Sequence, residues 1–439
     1  MANLIYWIDR PDLMSQTGFV GKTSQTVAAV LIAVSLITGF VFGAAAAPAI
    51  FPPPTRTQTV TQTATLATTV VRTTQVVTTS LVVTTSLVTV TQRVEVVEPP
   101  VKYAKLFSIE RRDGFTVLRD GVNRTILLVP KGRTAPDIKA DLVVTVPVER
   151  MVLMSATHVA LIERLREYAP DLLTRVKGIM WGNSYRWFFP EIDKALKDGR
   201  IADVGAAFSP NYEAIVALRP DLVMIYTYPG DPIPSKLAEL KLPYVVNSEY
   251  LEDTLLGRFE WIKFVGAFLG LDEEARTVFR YVEASYQLTV EKVAGAIDAK
   301  LATPKKIVWF SVFRGTVYVA AGGSYVAKAI GDLKGVYAFS DVRGTGSGTV
   351  TMEELVKRAA DADVIMLSTD LVASLDALLA EVPGLAGSKA VREGRVFRYN
   401  SNIFQLGYYD TEGWFRDLAA VLYPELFKDH QLNYYVRLR

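Results

Sequence analysis

Between residues 13 and 94 the chain holds no aspartate and no glutamate. A folded domain usually draws about a quarter of its residues from Asp, Glu, Lys and Arg, so this stretch is not part of an ordinary domain. Inside it, residues 26–42 (TVAAVLIAVSLITGFVF) carry no charge, and with residues 43–47 the apolar run reaches 22 residues. As a helix it would be about 33 Å long, enough to span a hydrocarbon core of about 30 Å. Arg10 and Lys22 precede it, and the positive-inside bias places the N-terminus in the cytoplasm and everything downstream outside. Two other fates remain open: a signal peptide cut within AAAAPA (44–49), or a leader cut near Gly21-Lys22. The length of the run and of the segment before it favour a retained single-pass anchor. Gly21-Lys22-Thr23 is not a phosphate loop, because Gly18 stands too close to Gly21 for that motif.

After PAIFPPP (48–54) comes a tract, residues 55–91, with 16 Thr and nine Val. Its paired Val-Val and Thr-Thr steps place an apolar residue on each face of any strand, so neither face segregates toward a core. The tract reads as an extended, hydroxyl-rich stalk of about 120 Å.

With this segment set aside, the remaining chain is close to neutral, as the totals of 48 Lys+Arg against 46 Asp+Glu require. That balance argues against a nucleic-acid partner. Cysteine is absent and only His158 and His430 represent histidine. Thiolate zinc sites, iron–sulfur clusters, Cys nucleophiles and three-His metal sites are therefore excluded within the chain, and neither cofactor nor resident metal is expected.

From residue 148 onward, apolar runs alternate with helical spacing. RMVLMS (150–155), residues 176–180, LVMIY (222–226) and YVVN (244–247) read as strands, with helices over 159–168, 211–218 and 235–241. Such alternation indicates parallel sheet flanked by helices. Residues 257–299 contain no Pro and keep helical spacing, which predicts one or two long helices, a second starting at Asp272-Glu273-Glu274. A second α/β run follows, with strands IVWF (307–310), 316–320, VIML (364–367) and 395–399, and a last long helix over 411–422. The halves echo one another: Asn211-x-Glu213, an apolar helix, Pro220-Asp221, LVMI; then Thr351-x-Glu353, an apolar helix, Ala362-Asp363, VIML. Asn and Thr suit N-caps, and a first-turn acid suits the helix dipole.

At these residues the chain resembles the substrate-binding proteins of ABC importers for iron–siderophores, haem and cobalamin. EAIVALRPDLVMI (213–225) is similar to that family's Glu-x-Ile-x-x-Leu-x-Pro-Asp-Leu-Val signature, and Asp203-Val204-Gly205, Gly322-Gly323-Ser324-Tyr325, AVREGRVF (390–397) and LAAVLYP (418–424) support it. NSEYLEDTLLGRFEWIK (247–263) and Tyr434-Tyr435 resemble one subgroup, and an anchor with a Thr-rich stalk is common in archaeal members. The resemblance implies two doubly wound α/β lobes joined by a long α-helix. The expected organisation is a cytoplasmic segment 1–25, an anchor or signal 26–48, a stalk 49–100, a β-rich segment 101–147, a first lobe 148–256, a helical connector 257–303 and a second lobe 304–439.

The implied function is capture of a metal chelate between the lobes and its delivery to an ABC transporter permease, outside the cell membrane and with no enzymatic step. A structural or adhesive surface role, or binding of another small solute such as an oxyanion, are the alternatives. Zero Cys argues against an enzyme on a related metal-cluster scaffold.

The ligand is expected beyond the C-terminal strand ends. Tyr226 and Tyr228 follow the LVMI strand; Trp181 and Tyr185 follow 176–180; Tyr318 and Tyr325 flank Gly322-Gly323. Trp309, inside its strand, reads as core. Such rings suit flat apolar chelates, and Arg314 and Arg343 suit carboxylates or oxyanions. His158, at a strand-to-helix turn, is a candidate metal ligand, with packing or capping as the plainer reading. Gly344-Thr345-Gly346-Ser347-Gly348 reads as a mobile cleft loop. The family docks on its permease through an acid on each lobe, which maps to Glu353 and, where the family carries Glu, to Asp231. Thr351-x-x-Glu354 forms a capping box that occupies Glu354.

Overall fold

The computed structural model describes residues 100–439. The expected cytoplasmic segment, anchor and stalk lie outside those residues, apart from Pro100. Among the described residues no helix is long and apolar enough to cross a membrane.

The β-rich segment is a small sheet of four strands: β1 (Ser108–Arg112), β2 (Phe115–Arg119), β3 (Thr125–Pro130) and β4 (Leu142–Val146), paired in that order. The first three are antiparallel and β4 joins β3 in parallel. Asp120 organises the β2–β3 turn. Its buried carboxylate accepts the N–H of Val122 at 3.2 Å and of Arg124 at 3.0 Å, and pairs with the Arg124 guanidinium at 2.6 Å. It also accepts the N–H of Val246 at 3.2 Å, while Gly121 donates its N–H to the Val246 carbonyl at 2.8 Å. A Cβ on Gly121 would stand 2.2 Å from Ser248 Oγ, so only glycine lets the turn approach this closely.

The next elements are β5 (Met151–Leu153), α1 (Ala156–Arg166), β6 (Val176–Ile179), α2 (Pro190–Lys197), β7 (Ala202–Asp203), β8 (Gly205–Ala206), β9 (Ser209–Pro210), α3 (Tyr212–Ala217), β10 (Leu222–Ile225), α4 (Ile233–Glu239) and β11 (Tyr244–Val246). Five of the strands form a wholly parallel sheet in the order β11-β10-β5-β6-β7. Every residue of β10 is buried, as a strand covered on both faces requires.

The connector is a helical hairpin rather than one rod. α5 (Leu255–Leu269) ends where Gly270 turns left-handed at φ 71°, and α6 (Asp272–Asp298) packs back against it. Glycine is the residue that takes this C-terminal conformation without a steric penalty. All of α5 is buried, including Arg258, Glu260 and Lys263.

The last part comprises β12 (Lys306–Phe313), β13 (Thr316–Ala320), α7 (Tyr325–Asp332), β14 (Val336–Tyr337), β15 (Ser347–Val350), α8 (Met352–Ala359), β16 (Val364–Leu367), α9 (Leu375–Glu381), α10 (Lys389–Arg392), β17 (Val396–Tyr399), α11 (Ile403–Tyr409), α12 (Thr411–Leu422) and β18 (Tyr435–Arg437). Its sheet runs β15-β13-β12-β16-β17-β18, with β14 beside the start of β12. It is mixed, not doubly wound throughout: β12, β16 and β17 pair in parallel, whereas the β12–β13, β13–β15 and β17–β18 pairings are antiparallel. The cause is local. Arg314 and Gly315 both have positive φ (50° and 78°) and Phe313 pairs with Thr316, a two-residue turn that reverses the chain into a hairpin.

The echo between the halves is present at both caps. Asn211 Oδ1 accepts the N–H of Ala214 at 3.0 Å, and Thr351 Oγ1 that of Glu354 at 3.1 Å. The capping box is only half formed, because the Glu354 carboxylate turns to Arg358 instead of back to Thr351.

Candidate functional site

Two N-caps open the site. Ser155, after β5, accepts the N–H of Thr157 at 3.3 Å to start α1, and Ser324 accepts that of Ala327 at 3.2 Å to start α7. Both border a cavity of about 300 Å³, within the range of small-molecule sites. Its wall takes Tyr226 from the end of β10, Glu249 and Tyr250 from the segment after β11, and Arg258 from α5. From the mixed-sheet side come Trp309, Tyr318, Tyr325, Tyr399, Phe404, Tyr408 and Trp414.

The wall's charged residues form one pair. Arg258 Nη2 lies 3.3 Å from Glu249 Oε2, with the two side chains 9% and 3% exposed. Glu249 Oε1 also accepts the Thr157 hydroxyl at 2.6 Å. Burial pushes the Glu249 carboxyl above its usual pKa, and the Arg258 charge opposes that rise. The guanidinium sits over two rings, 4.1 Å from the centroid of Tyr325 and 4.6 Å from that of Tyr408, a desolvated cation–π arrangement. Ring contacts continue around the wall: Tyr226–Tyr250 at 5.9 Å, Tyr325–Trp414 at 5.8 Å and Trp309–Tyr399 at 5.8 Å, all edge-on. Burial drives the Tyr399 hydroxyl well above its ordinary pKa, so it is neutral.

Contacts between the two parts of the chain lie next in sequence to the wall residues Tyr185 and Phe404. The buried Gln405 amide, on α11, accepts the N–H of Phe188 at 2.9 Å and donates to the Arg186 carbonyl at 2.8 Å. Arg164 of α1 pairs with Glu412 of α12 at 2.8 Å, and Tyr409 Oη donates to Glu167 at 2.6 Å.

Of the residues singled out from the sequence, Tyr226, Tyr185, Tyr318 and Tyr325 line this cavity, and so does Trp309 despite being 1% exposed. His158, Trp181, Tyr228, Arg314 and Arg343 do not. His158 is fully buried, and desolvation lowers its pKa to about 3; it packs inside the fold and offers no nitrogen to a ligand. Trp181 has φ 64°, and its ring packs edge-on to Phe208 at 5.5 Å. Tyr228 lies past the strand end, in the segment leading to α4. Arg314 occupies the exposed hairpin turn with its guanidinium over Phe313, and Arg343 is exposed outside the wall. Thr345, Gly346 and Ser347 reach the wall, where Ser347 begins β15 and Ala321 donates its N–H to the Gly346 carbonyl at 2.8 Å. Among the described residues no cluster of three His, Asp or Glu side chains could hold a metal ion.

For docking, Glu353 is exposed on the first turn of α8. Asp231 is half-buried and its Oδ1 accepts the N–H of Ile233 at 3.0 Å, so it serves the start of α4.

Sequence reasoning missed Glu249, Arg258, Tyr250, Tyr408 and Trp414 as site residues. A signal existed for Arg258: Arg258, Glu260 and Lys263 interrupt an otherwise apolar helix, and charges inside a buried helix must be paired.

Parallel and mixed sheets, a helical hairpin between them and an aromatic cavity at strand ends make this a mixed α/β binding protein. The chain belongs to the periplasmic binding protein family, whose members are substrate-binding proteins. The family model described as "Periplasmic binding protein" matches residues 189–403. The chain is 37% identical over 297 residues to an uncharacterized lipoprotein of Methanocaldococcus jannaschii, covering 67% of this chain and 70% of the relative. A second uncharacterized lipoprotein of that organism is 28% identical over 355 residues, covering 77% and 87%. Among solved structures, a possible iron-binding (periplasmic solute-binding) protein from Staphylococcus epidermidis ATCC 12228 has a TM-score of 0.50 at 14% identity, covering 63% of this chain and 99% of that one. A periplasmic heme binding protein from Pseudomonas aeruginosa has a TM-score of 0.50 at 18% identity, covering 63% and 93%. These two share the fold.

Proposed function

We propose that the protein is an extracellular solute-binding protein that holds a metal chelate between two α/β lobes, 148–256 and 304–439, and passes it to an ABC importer without catalysing a reaction. The observation that carries this reading is the cavity wall itself: rings contributed from both sides of the connector, one buried ion pair and a rim of hydroxyls. Such a wall suits a flat or compact chelate whose surface is largely apolar. The iron-binding and heme-binding descriptions of the two solved structures point the same way.

The relatives named lipoproteins suggest a tethered protein. A thioether-linked lipid needs a cysteine, and these 439 residues contain none, so the apolar run within 26–48 is the element assigned to anchoring, with 49–100 as the stalk. For the permease we assign Glu353 in the second lobe. In the first lobe Glu213 replaces Asp231, because Glu213 is exposed on the first turn of α3 and stands two residues after its cap, as Glu353 does.

The test is tryptophan fluorescence of the full chain titrated with haemin, cobalamin, ferric citrate and ferrichrome, since Trp309 and Trp414 line the cavity. Saturable quenching by one of them is expected, weakened roughly fivefold by Tyr226→Ala through loss of about 1 kcal/mol of ring contact. Absence of saturable binding across the panel overturns the reading.

A further inference from the structure

The cavity's charge carries information about the ligand's charge. Among the described residues, Arg258 is the sole cation of the wall and Glu249 the sole anion. Both are more than nine-tenths buried. The remaining charges of α5 are spent elsewhere: Lys263 pairs with Glu260 at 2.6 Å, and neither lines the cavity. Arg314 and Arg343, the cations expected to meet an oxyanion, stand off the wall. A ligand carboxylate seated on Arg258 would therefore also face the buried Glu249, and like charges brought together in such a site repel strongly. Neutral groups meet no such penalty. Ser311, Ser324, Ser347 and Ser368 offer hydroxyls around the wall for carbonyl and hydroxyl groups.

We infer that Glu249 is the specificity-determining residue of the cavity: by neutralising Arg258 it selects a chelate without net negative charge and rejects carboxylate-bearing ones. This rests on the chelate-binding reading above and narrows it. Glu249 is fixed for that role by the Thr157 hydroxyl on its other oxygen, and Arg258 by the Tyr325 and Tyr408 rings.

The experiment compares the full chain with Glu249→Gln, Glu249→Asp and the double variant Glu249→Gln/Arg258→Gln. Probes are ferrichrome, a neutral ferric trihydroxamate, and two anionic chelates, haemin and ferric citrate. The wild-type protein is expected to prefer ferrichrome. Glu249→Gln should shift the preference toward the anionic probes by about tenfold or more, the fold-change that relief of a buried like-charge contact implies. Glu249→Asp keeps the charge and the preference, and the double variant, whose wall is neutral again, returns to the wild-type order. A second readout needs no ligand: quenching of the cavity tryptophans by iodide, relative to neutral acrylamide, should rise in Glu249→Gln and fall back in the double variant.

Tighter binding of haemin or ferric citrate than of ferrichrome by the wild-type chain overturns the inference. So does an unchanged preference, or an unchanged iodide-to-acrylamide ratio, in Glu249→Gln. If no chelate binds any variant, the chelate reading fails while the iodide comparison still decides whether Glu249 sets the cavity's charge.

Discussion

The carboxylate of Glu260, inside α5, accepts the backbone N–H of Tyr103 at 2.6 Å across 157 residues of sequence. It also accepts those of Lys102 and Ala104, each at 2.8 Å. Glu252 receives the next two, Lys105 and Leu106, each at 2.9 Å. Five consecutive backbone donors thus end on two buried carboxylates, in hydrogen bonds strengthened by charge. Phe107 completes the contact against Trp261, with ring centroids 4.6 Å apart. Residues 102–106 are thus fastened to the helix that carries Arg258 and to the segment just before it. Glu260→Ala removes the acceptor of three backbone donors and the partner of the buried Lys263, and should cost roughly 3–5 kcal/mol in urea unfolding. Removing residues 1–106 should be at least as damaging, because it strips the donors from both carboxylates.

Gln405→Leu should loosen the contact between α11 and residues 186–188. It leaves the part-buried Phe188 N–H and Arg186 carbonyl without their partner, at a cost of about 1 kcal/mol for each lost hydrogen bond. Hydrogen exchange of peptides covering 181–189 should rise in this variant while peptides covering β16 stay protected.

His158 makes a definite contribution to the pH dependence. Its folded-state pKa, near 3, lies below the usual 6.5 because burial disfavours the charged ring. Below pH 6.5 the unfolded chain takes up a proton that the folded chain refuses. This contribution is therefore fully present above pH 6.5 and is lost as the pH falls toward 3, by roughly 1 kcal/mol per pH unit. His158→Gln should show a shallower loss of unfolding free energy than wild type between about pH 6.5 and 4. Parallel curves for the two proteins would contradict a buried neutral imidazole.

Asp417 holds the C-terminal tail. Its buried carboxylate accepts the N–H groups of Asn433 and Tyr434, both at 2.7 Å, and lies 2.6 Å from His430 Nε2. That places Tyr435 in β18, where its hydroxyl receives the Trp414 indole N–H at 2.6 Å. Asp417→Ala should free β18 from the sheet edge, seen as rapid proteolysis after about residue 428 and altered fluorescence of Trp414. A tail that stays resistant would show that strand pairing alone retains it.

The elements that were legible in the sequence are those set by neighbours in the chain. Asn211 and Thr351 cap helices because a short polar side chain reaches an N–H three residues on. The helix 411–422 matches its apolar spacing end for end, and the second connector helix starts at the Asp272 acid cluster as expected. Tyr226 could be placed because it is the first residue past a buried strand, whose end points to a binding crevice in such sheets. Tyr408 and Trp414 could not. They sit on helices whose faces meet the cavity only after the mixed sheet, α1 and α11 have packed together, and nothing within a few residues of them encodes that meeting. The mixed sheet was missed for a narrower reason: the reversal after β12 rests on positive φ at both Arg314 and Gly315, and arginine gives no local sign of that conformation.

By itself, then, the sequence determined the alternation of strands and helices, the helix caps, the exclusion of thiolate and multi-histidine chemistry, and the separation of an acid-free N-terminal segment from a neutral α/β region. All of these follow from composition or from interactions spanning a few residues. Only the tertiary structure decided that Glu249 and Arg258 face one another across the cavity wall, that His158 is sealed away from it, and that residues 102–106 end on Glu252 and Glu260. Burial and pairing of a charge depend on which distant surfaces close over it, and a local pattern holds no record of that.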